Sequence, residues 1–540
     1  VTHPDVRAAA EQWIADDVDS RAQDELRGLL DSPELADRMS GMPRFGTAGL
    51  RAPVRAGANG MNRAVVVRTT AGVASWLVQQ GLGGGTVVVG RDARHGSEDF
   101  AEDAASVLVA AGFDVRMLPE PLPTPVVAHA TRALEAVAGI QITASHNPPQ
   151  DNGYKLYLGG GIQLVGPADT EIEAAIAKTP ASKSVSRKQN WTPLESGLDD
   201  YLARVSALPR GGDREVRVAA TALHGVGAKV LRRALHGAGF DDVHFVSSQS
   251  EPDPDFPTVG FPNPEEPGAT DELLQLAEDI NADLAVALDP DADRCALGVR
   301  EGGTWRMLRG DETGVLLAWH LLSTLDEATP DPLVATTIVS SSMLRSIAAE
   351  FGVRYAETLT GFKWLVRAGD GEGTGLVYAY EEALGHSVDP DRVRDKDGIS
   401  AAVLACDLTA SLLASGDQLL DLLDELSTEH GVHQTGQVSV RVTDLAVIPR
   451  IMQRLREDPP QELAGSATET RDLLPDTDAL VITGAGGLRV VIRPSGTEPK
   501  LKCYLQVVEQ VGELPLAEAK QRAADRLVEL TGAVTSLVEE

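Results

Sequence analysis

The segment TASHNPPQDNGYK, residues 143–155, puts a serine at the end of an apolar stretch. Where a buried strand ends, backbone N–H groups are available, so Ser145 suits a nucleophile or a phosphate carrier. Pro148 and Pro149 stiffen the loop. Asn152–Gly153 is a turn signal that would return Tyr154 and Lys155 toward the same place. His146 suggests a Ser/His pair, but adjacent residues rarely make a good nucleophile–base contact, and no G-x-S-x-G elbow is present. A turn-forming serine is the plain alternative.

The segment DPDADR, residues 289–294, follows the apolar run AVAL. Asp289, Asp291 and Asp293 in one tight loop repel each other unless a cation holds them. Their hard oxygens suit Mg²⁺. The glycine and closing glutamate of an EF-hand are absent. Arg294 offsets charge and can bind a phosphate bidentately. The alternative is an acidic, solvated turn.

Two further loops complete the set. In YEEALGH, residues 380–386, Glu381 and Glu382 can clamp vicinal sugar hydroxyls, although paired glutamates are common. In RPSGTEPKLK, residues 493–502, Arg493, Ser495, Gly496 and Thr497 collect a guanidinium, two hydroxyls and turn N–H groups in one phosphate nest. It is not a Walker A loop. Lys500 and Lys502 add to its field. A carrier hydroxyl, a cation loop, a hydroxyl clamp and a distal phosphate anchor together fit a phosphorylated sugar.

The elements that position these loops read as repeated α/β layering. A helical pattern over 6–30 precedes PRFGTAGLR (43–51), and a helix over 62–80 leads to the buried strand in GGGTVVVGRD (83–92). A helix through 100–111, a strand at 113–118 and the strand of AVAGIQITAS (136–145) follow. Continuous rather than alternating apolar runs indicate α/β layering. The polar stretch 179–193 reads as a loop or insertion. The rhythm restarts near Glu215 and again at 332–361, and a helix over 398–415 follows DKDG. The final segment alternates more and ends in a helix over 516–530. The expectation is α/β, with three similar mixed α/β domains and a smaller C-terminal α+β domain. The boundaries expected are 1–205 with the serine loop, 206–325 with the metal loop, 326–436 with the sugar loop and 437–540 with the phosphate loop.

Composition bounds the partners. Lys plus Arg number 48 against 80 Asp plus Glu, a formal net charge of −32. A surface this acidic argues against a sequence-independent grip on nucleic acid or an anionic membrane. Only ten residues are Lys, and Lys155, Lys363, Lys396, Lys500 and Lys502 lie in or beside the loops above or related segments. Lys178, Lys183 and Lys188 read as solvent-facing. Cys295, Cys406 and Cys503 show no CxxC spacing, which fits a reducing cytoplasmic setting without a structural zinc site. The first residues lack a signal-peptide pattern, and no apolar run approaches a membrane span.

These motifs resemble those of the α-D-phosphohexomutase superfamily along the whole chain. TASHNPP resembles the segment whose serine the family phosphorylates, here Ser145. DPDADR resembles its magnesium loop, with Ser145 joining the three Asp residues around the ion. EEALG resembles its sugar loop and RPSGTEPK its phosphate loop. FGTAGLR (45–51) resembles the N-terminal signature and implies Arg51 near the reacting phosphate. TGFK (360–363) and DKDG (395–398) imply active-site roles for Thr360, Gly361, Lys363 and Lys396. The FGTAGLR and RDKDG segments look closest to the longer branch of phosphoglucomutases, phosphopentomutases and actinobacterial enzymes labelled phosphomannomutase. Ala383 is a departure, since many phosphoglucomutases carry EES-type loops.

The resemblance implies four domains around one cleft and a cytoplasmic monomer or weak homodimer. It implies reversible interconversion of glucose 1-phosphate and glucose 6-phosphate through phosphoserine, with Mg²⁺ and glucose 1,6-bisphosphate as activator and intermediate. Mannose and pentose phosphates are the alternative substrates. A metal-dependent phosphatase and a non-catalytic sugar-phosphate sensor are the competing classes. Lys155, His146 and Lys396 remain open as proton-transfer groups. His224 in ALHGVG reads as structural, Cys295 as a small buried hydrophobe and Trp364 as packing beside Lys363.

Overall fold

The computed structural model describes residues 4–46, 49–442, 444, 446–495 and 500–539. Contacts divide the chain into two compact units. The first holds the residues up to Leu308 together with Ala383–Ser411. The second holds Arg309–Glu382 and the residues from Leu412 onward.

The first unit contains two sheets. In the larger, strand order is Leu50–Pro53, Asp151–Leu158, Ala138–Ile142, Thr86–Arg91, Asp114–Met117 and Thr192–Pro193, with Ile162–Gln163 paired to Asp151–Leu158. Thr86–Arg91 runs parallel to both its neighbours, whereas Ala138–Ile142 and Asp151–Leu158 are antiparallel. Val87, Val88 and Val89 are fully buried, as a strand covered on both faces requires. The covering helix Arg63–Gln79 starts at Asn62, whose side chain accepts from the Val65 N–H at 3.0 Å. It packs Val66, Val73 and Leu77 into the core with Val87, Leu108 and Ile140. In the second sheet Leu284–Leu288 runs parallel to Val218–Thr221 and antiparallel to Cys295–Glu301. The aspartate loop is the connection from Leu288 to Cys295.

The second unit pairs a parallel core with an antiparallel sheet. Leu333–Thr337 lies between Arg354–Thr358 and Leu376–Glu381, parallel to both. The antiparallel sheet runs Val432–Arg441, Lys500–Glu509, Arg489–Pro494, Leu480–Gly484, Ser466–Asp472 and Glu462–Leu463. Its outer strand Val432–Arg441 is not continuously buried, which accounts for the alternation seen in the sequence.

Three expectations need correction. The helical pattern over 6–30 is two helices, Pro4–Asp16 and Ser20–Gly28, because Asp19 caps the second by accepting from the Arg21 N–H at 3.0 Å. Asn152–Gly153 is no turn: both lie within strand Asp151–Leu158, and the reversal occurs earlier, between Ile142 and Asp151. A Cβ on Gly153 would lie 2.5 Å from the Thr143 carbonyl oxygen and 2.6 Å from that of Leu50, so glycine is needed for strand packing. The final helix runs Leu516–Glu539, longer than expected, because Val534 and Val538 extend its buried face. Gly398–Ser415 is an 18-residue helix of mean hydropathy 1.6, apolar enough to match a membrane span. It is 72% buried within the protein, as a core helix is.

Candidate active site

In the first unit the serine loop and the aspartate loop meet. Ser145 is buried and has φ +52°, a left-handed conformation unusual outside glycine. Its N–H donates to Thr143 Oγ1 at 2.9 Å, which holds the turn. Its Oγ donates to Asp289 Oδ2 at 2.8 Å and lies 3.2 Å from His146 Nδ1. The adjacent histidine therefore does reach the serine, and the left-handed backbone is what departs from an ordinary neighbour geometry.

Arg94 braces this loop. Its buried guanidinium donates to the carbonyls of Ser145 (2.7 Å), Asn147 (2.5 Å), Pro148 (2.8 Å) and Asp151 (3.1 Å). It also lies over the Phe256 ring at 4.8 Å. Asp92 accepts from the Arg94 N–H at 2.9 Å and from Ser97 Oγ. Arg51 Nη1 donates to Asn147 Oδ1 at 2.8 Å, so the predicted arginine does touch the serine loop.

Asp289, Asp291 and Asp293 are all buried, and each offers a ligand oxygen within 4.8 Å of the others. Lys155 Nζ donates to Asp291 Oδ2 and Asp293 Oδ2, both at 2.6 Å. Lys396 Nζ lies 3.3 Å from Asp293 Oδ2. Thr124, first residue of helix Thr124–Ala133, donates its hydroxyl and its N–H to Asp291. Arg294 donates its N–H to Asp289 Oδ1 at 3.0 Å and reaches the His146 ring through Nη1. The opposite oxygens, Asp291 Oδ1 and Asp293 Oδ1, are buried without a hydrogen-bond partner. Buried carboxylate oxygens are costly unless compensated. Two orphaned hard oxygens beside Asp289 fit a divalent cation such as Mg²⁺.

The electrostatics separate the carboxylates. Burial, then Asp291 and Asp293, push Asp289 well above the ordinary carboxylate range. Burial acts the same way on its partners, but the Lys155 ammonium prevails and both stay below that range. Burial depresses Lys155, yet Asp291 and Asp293 overcome it and the net shift is upward. Burial, then Arg294 and Arg51, drive His146 well below its ordinary value, so its ring is neutral near pH 7.

Glycines let neighbouring segments grip the aspartate loop. A Cβ on Gly225 would lie 2.3 Å from Pro290 Cα, and one on Gly398 would lie 2.3 Å from the Arg294 carbonyl oxygen. The neighbouring His224 has a structural contact, with Nε2 2.8 Å from Thr258 Oγ1. Asp395 anchors the DKDG segment by accepting from Tyr157 (2.7 Å), Gln163 (2.6 Å) and the Lys396 N–H (2.8 Å).

The second unit holds Glu381 and Glu382. Glu382 Oε2 accepts from Ser340 Oγ at 3.1 Å and Thr337 Oγ1 at 3.3 Å, and its N–H donates to Ser340 Oγ. Burial, then Glu381 and Asp311, push its pKa up to about 7. The loop carrying Ser340 is fixed from the antiparallel sheet. Arg489 donates to the Ser340 carbonyl, and Gln506 pairs with the N–H and hydroxyl of Ser342, both at 2.8 Å. Thr360 and Gly361 precede the short helix Phe362–Leu365, which carries Lys363 with Nζ 6.0 Å from the Trp364 ring centre. Arg493 and Lys502 face each other across adjacent strands, and the Ser495 N–H donates to the Lys500 carbonyl at 2.9 Å. Like charges placed opposite are unfavourable without an anion. Gly496 and Thr497 lie outside the described residues.

Sequence reasoning missed Arg94, Thr124, Asp395, Ser340, Arg489 and Gln506. A signal existed for Arg94 in the charged GRDAR at a strand end and for Ser340 in VSSS after another. The others act across long sequence separations.

The chain matches the phosphoglucomutase/phosphomannomutase family in four stretches. These are alpha/beta/alpha domains I, II and III over 42–183, 199–302 and 309–429, and the C-terminal domain over 438–521. The chain belongs to this family. It is therefore a phosphohexomutase-family enzyme, an intramolecular phosphotransferase. A Haemophilus influenzae protein named "Probable phosphomannomutase" is 42% identical, covering 83% of this chain and 93% of its own. Mouse phosphopentomutase is 33% identical over 97% of this chain and 93% of its own. The open-form crystal structure of parafusin, a phosphoglucomutase from Paramecium, shares the fold with a TM-score of 0.69 at 18% identity, covering 92% of this chain and 95% of its own.

Proposed function

We propose that this chain interconverts the 1- and 6-phosphates of a hexose, glucose and mannose phosphates first, through phosphoserine at Ser145 and a bisphosphorylated intermediate. The observation that carries the reading is Ser145 itself. Its hydroxyl is buried, conformationally strained and 2.8 Å from an aspartate whose two neighbours present orphaned oxygens.

Asp289, Asp291 and Asp293, with the Ser145 side chain, would hold Mg²⁺, which when bound supplies positive charge for the transferring phosphoryl oxygens. Arg51 and Arg294 bind the dianionic phosphate beside Ser145. His146 lies 3.2 Å from Oγ and meets Arg294 Nη1 at the same Nδ1, and burial with Arg294 and Arg51 lowers its proton affinity, so it serves to position the serine. Lys155, held protonated by two carboxylates, orients the aspartates. Lys396 supports Asp293. In the second unit Glu381 and Glu382 grip ring hydroxyls, with Thr360, Gly361 and Lys363 assisting. Arg493, Ser495, Gly496, Thr497 and Lys502 anchor the phosphate that is not reacting. A clamp that reads hydroxyls can hold either orientation of a bisphosphorylated sugar.

A second reading, a pentose phosphate mutase, is favoured by the mouse phosphopentomutase match, which spans 97% of this chain. The test is a comparison of kcat/KM for glucose 1-phosphate, mannose 1-phosphate and ribose 1-phosphate, with Mg²⁺ and a trace of glucose 1,6-bisphosphate. Ribose 1-phosphate ahead by about tenfold, roughly 1.4 kcal/mol of transition-state discrimination, would overturn the hexose reading. Stoichiometric release of inorganic phosphate without isomer would overturn both. A phosphate adduct of about 80 Da, absent in Ser145→Ala, is the expected mass signature.

A further inference from the structure

We infer that Glu350, Glu429 and His430 form a second cation site, suited to a divalent transition metal such as Zn²⁺. Nothing in the proposed reaction uses these residues. All three lie in the second unit, at the ends of helices Met343–Glu350 and Leu419–His430. Each offers one ligand atom, and the three atoms lie within 4.8 Å of one another.

The decisive atom is His430 Nε2. The His430 side chain is only 9% exposed. Its Nε2 is buried and has no hydrogen-bond partner, yet lies 3.1 Å from Glu350 Oε2. A nitrogen and an oxygen this close, without the alignment of a hydrogen bond, come near the spacing of two ligands on one ion. Tetrahedral bonds of about 2.0–2.2 Å place adjacent ligand atoms roughly 3.3–3.6 Å apart, so the observed 3.1 Å needs a shift of only a few tenths of an ångström to admit an ion. The helix ends add to the argument. Two C-termini turn their negative dipole ends toward a place already holding two carboxylates, an arrangement that favours a cation.

Ligand chemistry selects the metal. An imidazole with two carboxylates prefers Zn²⁺ over Mg²⁺, whereas the all-oxygen aspartate loop suits Mg²⁺. The 44% exposed side chain of Glu350 gives the ion a path from solvent. A bound ion would tie helix Met343–Glu350, which follows the Ser340 loop, to the end of helix Leu419–His430, one residue, Gly431, before strand Val432–Arg441.

The experiment is equilibrium dialysis of the full chain against Zn²⁺, with excess Mg²⁺ present to occupy the aspartate loop and bound zinc read by atomic emission. Wild type is expected to retain one zinc per chain at micromolar free metal. His430→Ala is expected to lose it, and Glu350→Gln to weaken it by tenfold or more, with unchanged far-UV circular dichroism. Glu350→Gln keeps the side-chain volume and serves if His430→Ala fails to fold. Equal retention by the variants, or no retention by wild type, overturns the site. Neither result bears on the mutase reading.

Discussion

Glu382→Gln should stabilise the protein at alkaline pH while removing activity. The Glu382 carboxyl titrates at about 7, against an ordinary 4.5, because burial and the neighbouring Glu381 and Asp311 disfavour its charge. The folded state therefore binds this proton more tightly than the unfolded chain. Stability is greatest below pH 4.5, falls as pH rises through the window from 4.5 to 7, and is flat above it. At about 1.36 kcal/mol per tenfold change in acidity, the ionised carboxylate costs about 3 kcal/mol at pH 8 and about 1 kcal/mol at pH 5. Glutamine keeps an acceptor oxygen for Ser340 and Thr337 and carries no charge. Its advantage over wild type should therefore grow from about 1 kcal/mol at pH 5 to about 3 kcal/mol at pH 8. Urea denaturation of both proteins at the two pH values reads this directly. An equal gain at both, or a variant less stable at pH 8, would refute the electrostatic argument. A stabilised variant with kcat/KM down on the order of a hundredfold would show that the charge is kept for binding at the expense of stability.

Two other substitutions probe the framework of the serine loop and the metal loop. Arg94→Lys cannot span four carbonyls with one ammonium, so kcat should fall by about a hundredfold with KM nearly unchanged, as expected when a reacting group is misplaced; steady-state kinetics retaining kcat within a factor of two would remove Arg94 from the positioning role. Gly225→Ala drives a Cβ into Pro290 and should cost about 1–3 kcal/mol and weaken Mg²⁺ binding by about tenfold, whereas Gly212→Ala, with nothing within 4 Å of its Cβ position, should leave calorimetric metal titrations unchanged.

The signature loops were legible because their chemistry is contiguous. Three aspartates in five residues, or two glutamates side by side, concentrate cost in one place whatever the rest of the chain does. The same locality explains the errors. Asn152–Gly153 has the composition of a turn, but the Asn152 amide donates to the His95 carbonyl and to Ser97 Oγ, both at 2.9 Å. Those partners lie far back in the sequence, and they hold the pair in a strand. Arg94 likewise reaches carbonyls more than 50 residues away. Greater alternation marked the final segment as different in kind, and continuous apolar runs marked the α/β layering. It was helix ends and long-range polar bracing that local pattern could not carry.

The surroundings of Lys155 weigh against its acting as a general base. A general base must lose its proton near neutral pH, and a buried lysine alone would move in that direction. Here each of two aspartates offers one oxygen to the ammonium at 2.6 Å, so the attraction outweighs burial. The other oxygens of the same aspartates, Asp291 Oδ1 and Asp293 Oδ1, are buried without a hydrogen-bond partner. Lysine thus fixes one oxygen of each carboxylate, while the serine hydroxyl lies 2.8 Å from Asp289 Oδ2 and 3.2 Å from the His146 ring. The net charge of −32 does not oppose a phosphate ligand here. Around Ser145 the aspartates are already matched by Lys155, Lys396, Arg294, Arg51 and Arg94, and each further positive charge favours an anion.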